Sequence, residues 1–156
     1  MIDAGALTGL SAAAALAPLA GRLVLTPHEG EMAALLGVPG GEVEADPAAA
    51  ARRAAAQWSA TVALKGRDTY VASPDGLVWR HEGPVPGLGV SGSGDVLAGV
   101  IGGLLAQGAP PATATLWGVW LHAMAGRTLA EDVGPSGYLA RELAARIPGL
   151  RRQAAP

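Results

Sequence analysis

Short apolar runs alternate with segments of helical spacing in the first half of the chain. Residues 22–26 (RLVLT) form one such run and predict a short buried strand. Residues 25–37 (LTPHEGEMAALLG) change to helical spacing and end at Gly37, which predicts a helix with a glycine C-cap. A second apolar run, residues 61–66 (TVALKG), predicts another buried strand.

The segment between the two predicted strands contains a clear helix start. Asp46 is a favoured N-cap residue and Pro47 follows it, so we expect a helix that extends to about Trp58. Gly40 and Gly41 upstream predict a loop. The resulting strand–helix–strand order predicts parallel pairing through a right-handed crossover.

The second half begins with a hairpin pattern. Residues 69–73 (TYVAS) and 77–81 (LVWRH) are rich in strand-forming residues and are joined by the turn sequence PDG. Helical spacing then predicts helices over residues 92–106, 111–131 and 136–147, followed by a frayed tail. Because no internal repeat and no long linker divides the chain, we expect one α/β domain over residues 1–156.

The uncharged opening, residues 4–21, requires a choice between a membrane segment and a packed helix. Asp3 stands where a signal peptide carries basic residues, and Pro18 and the weakly apolar alanines make a poor membrane span. We therefore expect a packed helix here, no membrane association, and a soluble cytoplasmic protein.

Composition excludes several classes of protein. The 156 residues are 50% hydrophobic, which suits one domain with a core, and the net charge of −2 lacks the basic footprint of a nucleic-acid binder. The absence of cysteine excludes disulfides and thiolate metal sites. His28, His81 and His122 have no metal-ligand spacing, so no resident metal site is expected.

A glycine-rich turn before the helix at residues 92–106 is the main candidate for chemistry. The literal G-x-G-x-x-G at Gly87, Gly89 and Gly92 is not read as a dinucleotide motif, because prolines interrupt the approach and no acidic residue follows at the required distance. No lysine follows the last glycine, which excludes a P-loop.

The same turn can bind an anion through its backbone. Gly92, Ser93 and Gly94 leave N–H groups open at a helix N-terminus, where the helix dipole also favours negative charge. Asp95 in this first turn is either a cap, worth about 0.3–1 kcal/mol, or a general base beside a bound phosphate. Spacing alone does not separate these two roles.

The order of four motifs resembles a known family. Residues 91–108 (SGSGDVLAGVIGGLLAQG) look like the GGTGDVLAG signature of the ribokinase-like superfamily. The segment TPHEGE at residues 26–31 is similar to a T-P-H-x-G-E motif of ADP-dependent NAD(P)H-hydrate dehydratases. Residues 63–76 (ALKGRDTYVASPDG) resemble that family's K-G-x-x-T segment, and residues 2–7 (IDAGAL) resemble its DADAL segment.

The resemblance implies a ribokinase-like three-layer sandwich and a repair activity. Such enzymes use ADP to remove water from hydrated NADH or NADPH, by phosphorylating the hydroxyl and then eliminating phosphate, which leaves AMP. ADP or ATP is thus an expected co-substrate, Mg²⁺ is expected to arrive with it, and a homo-oligomer is expected.

The resemblance also implies roles for individual residues. Asp95 would be the catalytic base and would contact the substrate, and His28 would contact the hydrated dinucleotide. The nucleotide would be bound, with its AMP portion at residues 65–69 and its phosphates at the glycine turn, by Lys65, Gly66, Arg67, Asp68, Thr69, Gly92, Ser93 and Gly94.

Several side chains keep alternative interpretations at this point. Lys65 is either a ligand contact or a solvated strand end, and His28 without its motif would be a surface histidine. Glu31 could form a capping pair with Thr26, relate to a metal, or pack. Trp117 and Trp120 could stack on adenine but are expected to be packing residues, and His122 is expected to be an internally satisfied helix histidine.

The pattern also departs from the family. Val85 and Val90 replace polar residues of the family turn, and Ser91 replaces a glycine. Family members carry a further segment before the DADAL-like motif, so we expect a partial domain with an uncovered strand edge beside Val24, and weak activity or oligomerisation. The alternative functions are a small-alcohol kinase, acting on a hydroxymethylpyrimidine, a hydroxyethylthiazole or a sugar, and a non-catalytic nucleotide binder.

Overall fold

A four-stranded sheet organises the protein, whose computed structural model describes residues 1–10 and 17–154. The strand order is β1–β2–β3–β4, with β1 parallel to β2 and the other neighbours antiparallel. The strands are β1 (Leu23–Leu25), β2 (Ala60–Leu64), β3 (Thr69–Ala72) and β4 (Val78–His81). The two predicted buried strands, their parallel pairing and the predicted hairpin are confirmed.

The helices follow the local signals in the sequence closely. Gly37 ends the first helix in a left-handed conformation, and the Asp46 carboxylate caps the third by accepting from Ala49 N at 2.9 Å. The α-helices are α1 (Glu29–Leu36), α2 (Gly40–Ala45), α3 (Pro47–Trp58), α4 (Ser93–Ala106), α5 (Pro111–Val133) and α6 (Ala140–Ala154).

Alternating strand residues divide the core between the two faces of the sheet. Leu23 and Leu25 of β1 pack with α1 and α3, whereas Val24 faces α4 and α5. Helices therefore cover both faces, which gives the three layers that the family resemblance implied. Helix α6 packs outside α4 and α5, through a third apolar cluster that includes Leu121, Leu129 and Leu143.

Residues before β1 extend the sheet by one short pairing. Ile2 forms a parallel bridge with Leu25, and Ile2 N donates to Val24 O at 2.8 Å. The edge expected to be uncovered beside Val24 is thus covered at its carbonyl by Ile2, although β1 remains the outermost strand of the sheet.

Three expectations about the elements are wrong. Residues 4–9 and 17–19 form 3₁₀ turns rather than one packed helix, and the rest of that expected helix lies outside the described residues. Gly40 and Gly41 begin α2 instead of forming a loop, because Pro39 supplies an extended N-cap and Val43 is buried. The expected frayed tail continues α6 through Ala154, where Leu150 packs into the third cluster.

The contact between α4 and α5 depends on Gly118, because a Cβ there would overlap Cγ1 of Ile101. We expect Gly118→Ala to lower the free energy of unfolding by about 1–3 kcal/mol, as overpacking does. Urea unfolding would measure the loss. The matched control is Gly103→Ala in α4, where no atom lies within 4 Å of an added Cβ; here we expect no loss and a gain of up to about 1 kcal/mol. Equal stability of the two variants would contradict the close contact.

Candidate functional site

A cleft of about 470 Å³ opens at the carboxyl ends of β1 and β2. Ligands bind in open α/β sheets at this edge. The two parallel strands end side by side, so His28 and Lys65 form a parallel bridge across them. Of the residues predicted to bind ligand, those that line the cleft are His28, Lys65, Gly66, Arg67, Thr69, Ser93 and Gly94.

The first turn of α4 forms one wall of this cleft. Gly92 precedes the helix with a φ of 86°, a left-handed conformation that glycine adopts without strain. Ser93 and Gly94 follow and line the cleft; the Ser93 N–H donates to Val90 O at 3.1 Å, whereas the Gly94 N–H has no backbone acceptor among the described residues. In the described part of the chain no side chain caps this turn, so the Gly94 N–H is available to an anion.

The turn before α4 is held by packing. Residues 86–89 form a 3₁₀ turn, and a Cβ at Gly87 would overlap the ring of buried Tyr138. Gly126 of α5 lies against the same ring, where an added Cβ would be 3.0 Å from the Tyr138 hydroxyl. Of the glycines in the literal dinucleotide pattern, Gly87 thus allows a close contact and Gly92 a left-handed turn, whereas an added Cβ at Gly89 would meet nothing within 4 Å.

The Lys65 side chain is held between the sheet and α4. Its Nζ donates to Asp3 Oδ1 at 3.0 Å, and the same oxygen accepts from Thr26 Oγ1 at 2.7 Å. Nζ also lies 3.4 Å from where a Cβ of Gly94 would be. Lys65 is therefore neither a solvated strand end nor a free side chain.

His28 has a structural role that the sequence did not indicate. It is the N-cap of α1, with Nδ1 accepting from Glu31 N at 3.2 Å while Glu31 Oε2 accepts from His28 N at 2.8 Å. Glu31 thus forms its capping pair with His28 and not with Thr26, whose hydroxyl binds Asp3. The His28 ring remains exposed at the mouth of the cleft, so the cap and a ligand contact are compatible.

His122 stands behind the first turn of α4. Its Nε2 lies 3.0 Å from both the hydroxyl and the carbonyl oxygen of Ser93, and the carbonyl can only accept, which favours a proton on Nε2. Burial lowers the pKa of His122 from 6.5 to about 4. The expectation of an internally satisfied histidine is confirmed, and the ring is neutral at pH 7.

Asp68, predicted to bind nucleotide, points away from the cleft. Its Oδ2 accepts from Arg80 at 2.6 Å and its Oδ1 from Gly83 N at 3.1 Å. The hydrogen bond from Arg80, with that from Gly83, lowers the pKa of the Asp68 carboxyl. Asp68 therefore secures the loop between β2 and β3 to the end of β4, and the cleft is lined by its neighbours.

Asp95 is separate from the cleft wall. It lies in the first turn of α4 with an exposed side chain, and neither it nor Gly92 lines the cleft. Asp95 is the acidic residue of the first turn of α4, where the helix dipole favours its charge, so the capping role stays open beside the catalytic one. Its exposed carboxylate is accessible to a ligand that approaches α4 from outside.

Metal binding and aromatic stacking receive less support from the geometry. Across residues 1–10 and 17–154, no three His, Asp or Glu side chains come together as a metal-binding group. Trp117 is exposed and meets Trp120 edge to face at 5.6 Å, and neither lines the cleft. The expected packing role holds for Trp120, which contacts the third cluster, but is wrong for Trp117.

Two residues of the site were not predicted. Asp3 had only its place in the DADAL-like segment as a signal, and its partner Lys65 is 62 positions away. His81, at the end of β4, lines the cleft with a buried Nε2 that has no hydrogen-bond partner in the described structure, and burial lowers its pKa. A lone histidine at a strand end gives no sequence signal.

No helix within the described ranges has both the length and the apolar character needed to span a bilayer.

Comparison with known proteins identifies the family. A family profile described as NAD(P)H-hydrate dehydratase matches residues 1–149. A protein from Xanthomonas campestris pv. campestris, ADP-dependent (S)-NAD(P)H-hydrate dehydratase, is 51% identical over 150 residues, covering 96% of this chain and 50% of the relative. A Neisseria meningitidis serogroup B protein of the same name is 45% identical, covering 98% and 53%. The chain thus spans about half the length of these curated relatives.

Solved structures agree on the fold. The ADP/ATP-dependent NAD(P)H-hydrate dehydratase of Bacillus subtilis, co-crystallised with ATP/Mg²⁺, matches with a TM-score of 0.81 and 32% identity, covering 97% of this chain and 53% of that one. A ribokinase-like superfamily protein from Enterococcus faecalis matches with a TM-score of 0.82 and 29% identity, covering 99% and 53%. The expected ribokinase-like architecture is confirmed.

Burial of neutral His122 predicts a pH-dependent stability. Since its folded pKa of about 4 lies below the unfolded value of 6.5, the unfolded chain binds more protons between these limits, and stability falls as pH is lowered through this window. We expect this group to remove up to about 3 kcal/mol between pH 7 and pH 4. Urea unfolding across this range should show a shallower decline for His122→Gln; an equal decline would contradict the burial of a neutral ring.

Proposed function

Because the chain belongs to the NAD(P)H-hydrate dehydratase family, we propose that it carries out the ADP-dependent dehydration of hydrated NADH or NADPH. The reaction restores the reduced nicotinamide and converts ADP into AMP and phosphate. The observation that carries the proposal is the cleft in which the Lys65 ammonium meets the open first turn of α4. A cation and unpaired main-chain N–H groups are what a nucleotide phosphate requires.

The nucleotide would occupy the cleft. Its phosphates would lie against the turn at residues 92–94 and accept hydrogen bonds from the Gly94 N–H and from Lys65, and its AMP portion would lie along residues 65–69. Of this segment, the side chains that face the cleft are those of Lys65, Arg67 and Thr69, whereas Asp68 secures the loop from behind. The segment would therefore bind through its backbone and the side chains of Lys65, Arg67 and Thr69.

The hydrated dinucleotide would approach from the exposed side of the same turn. Asp95 would take the proton from the hydroxyl of the hydrated nicotinamide ring. The hydroxyl oxygen attacks the terminal phosphorus of ADP at the same time, and the bond between that phosphorus and the AMP oxygen breaks. Phosphate then leaves from the ring carbon as a proton leaves the neighbouring carbon, and the double bond is restored. His28, with its exposed ring at the cleft mouth, would contact this substrate.

Magnesium would enter with the nucleotide. One lysine, main-chain donors and one exposed carboxylate suit the phosphates of a magnesium nucleotide better than a resident ion, which requires several carboxylate or imidazole ligands. When bound, Mg²⁺ would neutralise phosphate charge. The proposal extends to a homo-oligomer in the cytoplasm, as the family resemblance implies.

The role of Asp95 is tested by Asp95→Asn, which removes the base and keeps the shape of the side chain. Incubation with hydrated NADH, ADP and Mg²⁺ is followed by the absorbance of restored NADH. We expect the turnover rate to fall about 10²–10⁴-fold, the usual contribution of a general base. Glu44→Gln removes an exposed carboxylate on α2, remote from the cleft, and should leave the rate unchanged.

Three outcomes would count against this proposal. Activity of Asp95→Asn within severalfold of the parent would show that Asp95 is not the base. Accumulation of a phosphorylated alcohol without restored NADH would instead support the small-alcohol kinase. If the parent binds ADP but turns over neither substrate class, the non-catalytic nucleotide binder remains.

Lys65→Ala tests the phosphate site separately from the chemistry. We expect ADP affinity, measured by calorimetry, to fall about tenfold or more, because a charged hydrogen bond to phosphate is lost. The turnover rate at saturating ADP should fall less than the affinity does. If the variant binds ADP with the same affinity as the parent, Lys65 is not part of the nucleotide site.

A further inference from the structure

Lys65 is the only lysine in the chain, whereas arginine occurs ten times. The chain therefore has its single lysine at this position, although its other basic side chains are all arginines. Lysine is a compact charge on a flexible stem, and arginine is a wide planar fork. Nζ lies 3.4 Å from where a Gly94 Cβ would be, an ordinary contact distance, so the compact ammonium is directly beside the first turn of α4.

A flexible stem needs a partner to hold its charge in one place. Nζ is fixed by Asp3 Oδ1 at 3.0 Å, and Thr26 Oγ1 fixes the same oxygen at 2.7 Å. The site is largely shielded from water, since the exposed fractions of the side chains are 12% for Asp3 and 22% for Lys65, and Thr26 is fully buried. An ion pair in such surroundings is screened less than one at the surface.

The sheet explains why these three side chains meet. The bridge between Ile2 and Leu25 sets Asp3 beside Thr26 at the end of β1, and Lys65 follows β2 directly. Thr26 N donates to Ile2 O at 3.3 Å, which fixes the backbone next to Asp3. Asp3 is therefore anchored by main-chain pairing and by a buried hydroxyl before it contacts the lysine.

We infer that Asp3 is a positioning residue that holds the Lys65 ammonium beside the first turn of α4, where the nucleotide phosphate is to bind. The inference rests on the proposed function for the identity of the ligand, while the ordering of the lysine does not depend on it. An ammonium has three N–H donors. Asp3 accepts from one of them, which leaves two for phosphate oxygens. Because the side chain is already held in one conformation, less conformational entropy is lost when the phosphate binds.

The ordering of Lys65 can be measured without any ligand. In protein grown with ¹³C,¹⁵N-lysine, the single lysine gives one side-chain spin system. In the parent we expect ε-CH₂ chemical shifts that differ from those of a free lysine and a high side-chain order parameter. In Asp3→Asn and Asp3→Ala we expect both quantities to approach the values of a free lysine. Asp132→Ala removes an exposed aspartate from its ion pair with Arg146 on the far helices and should leave the signal unchanged. A lysine equally ordered without the Asp3 charge would overturn the inference.

A double-mutant cycle then tests whether this ordering serves the nucleotide. With ADP as the probe, we expect Asp3→Ala to weaken binding about tenfold, the order of a lost charged hydrogen bond. In the Lys65→Ala background the same change should cost nothing further, because there is no ammonium to position. A purely structural role would give the same loss in both backgrounds, and tighter binding in Asp3→Ala would mean that Asp3 competes with phosphate; either result overturns the inference.

The two measurements separate the inference from the proposed function. If the parent chain does not bind ADP, the proposed nucleotide site fails, while the lysine signal still decides whether Asp3 orders Lys65. If Asp3→Ala unfolds the chain, Asp3→Asn provides the comparison, since its amide oxygen can still accept from Thr26. Thermal unfolding of each variant, read beside the lysine signal, identifies a loss that comes from folding alone.

Discussion

The parallel pairing of β1 with β2 is the constraint on which the site depends. Strands that run the same way end at the same edge, so the residues that follow them become neighbours although they are distant in sequence. His28 and Lys65 bridge across this edge, and the pairing of Ile2 with β1 adds Asp3 to it. Helix α4, packed on one face of the sheet, brings its N-terminus to the same place. The cleft is thus where a sheet edge meets a helix start.

Two glycines before this helix start meet different requirements. Gly92 adopts a left-handed conformation, and Gly87 makes room for the Tyr138 ring. Both belong to the literal dinucleotide pattern, but an added Cβ at its other glycine, Gly89, would meet nothing within 4 Å. The pattern therefore fits the letters here without its strand–turn–helix context. The physical function of each glycine is visible only from what an added Cβ would meet.

Local signals predicted the elements, and long-range contacts decided the rest. The Asp46 cap, the Gly37 C-cap and the PDG turn are interactions within a few residues, so their sequence is sufficient to predict α3, the end of α1 and the hairpin. The ion pair of Lys65 with Asp3 and the hydrogen bond between Ser93 and His122 join distant segments, and no spacing rule indicates them. The capping partner of Glu31 was missed for a different reason, since histidine is an uncommon N-cap.

The charges around the cleft suggest how it would discriminate among anions. Burial keeps His122 neutral at pH 7, and the charge of Lys65 is partly offset by Asp3 at 3.0 Å, while Arg67 is a further cation among the residues that line the cleft. Paired charges cancel beyond a few ångströms, so the Lys65–Asp3 pair contributes little to the attraction of anions from a distance. At short range, Lys65 lies beside the first turn of α4, so its ammonium and the Gly94 N–H are neighbouring donors. For an anion at this wall, the fit to these donors therefore matters more than negative charge alone.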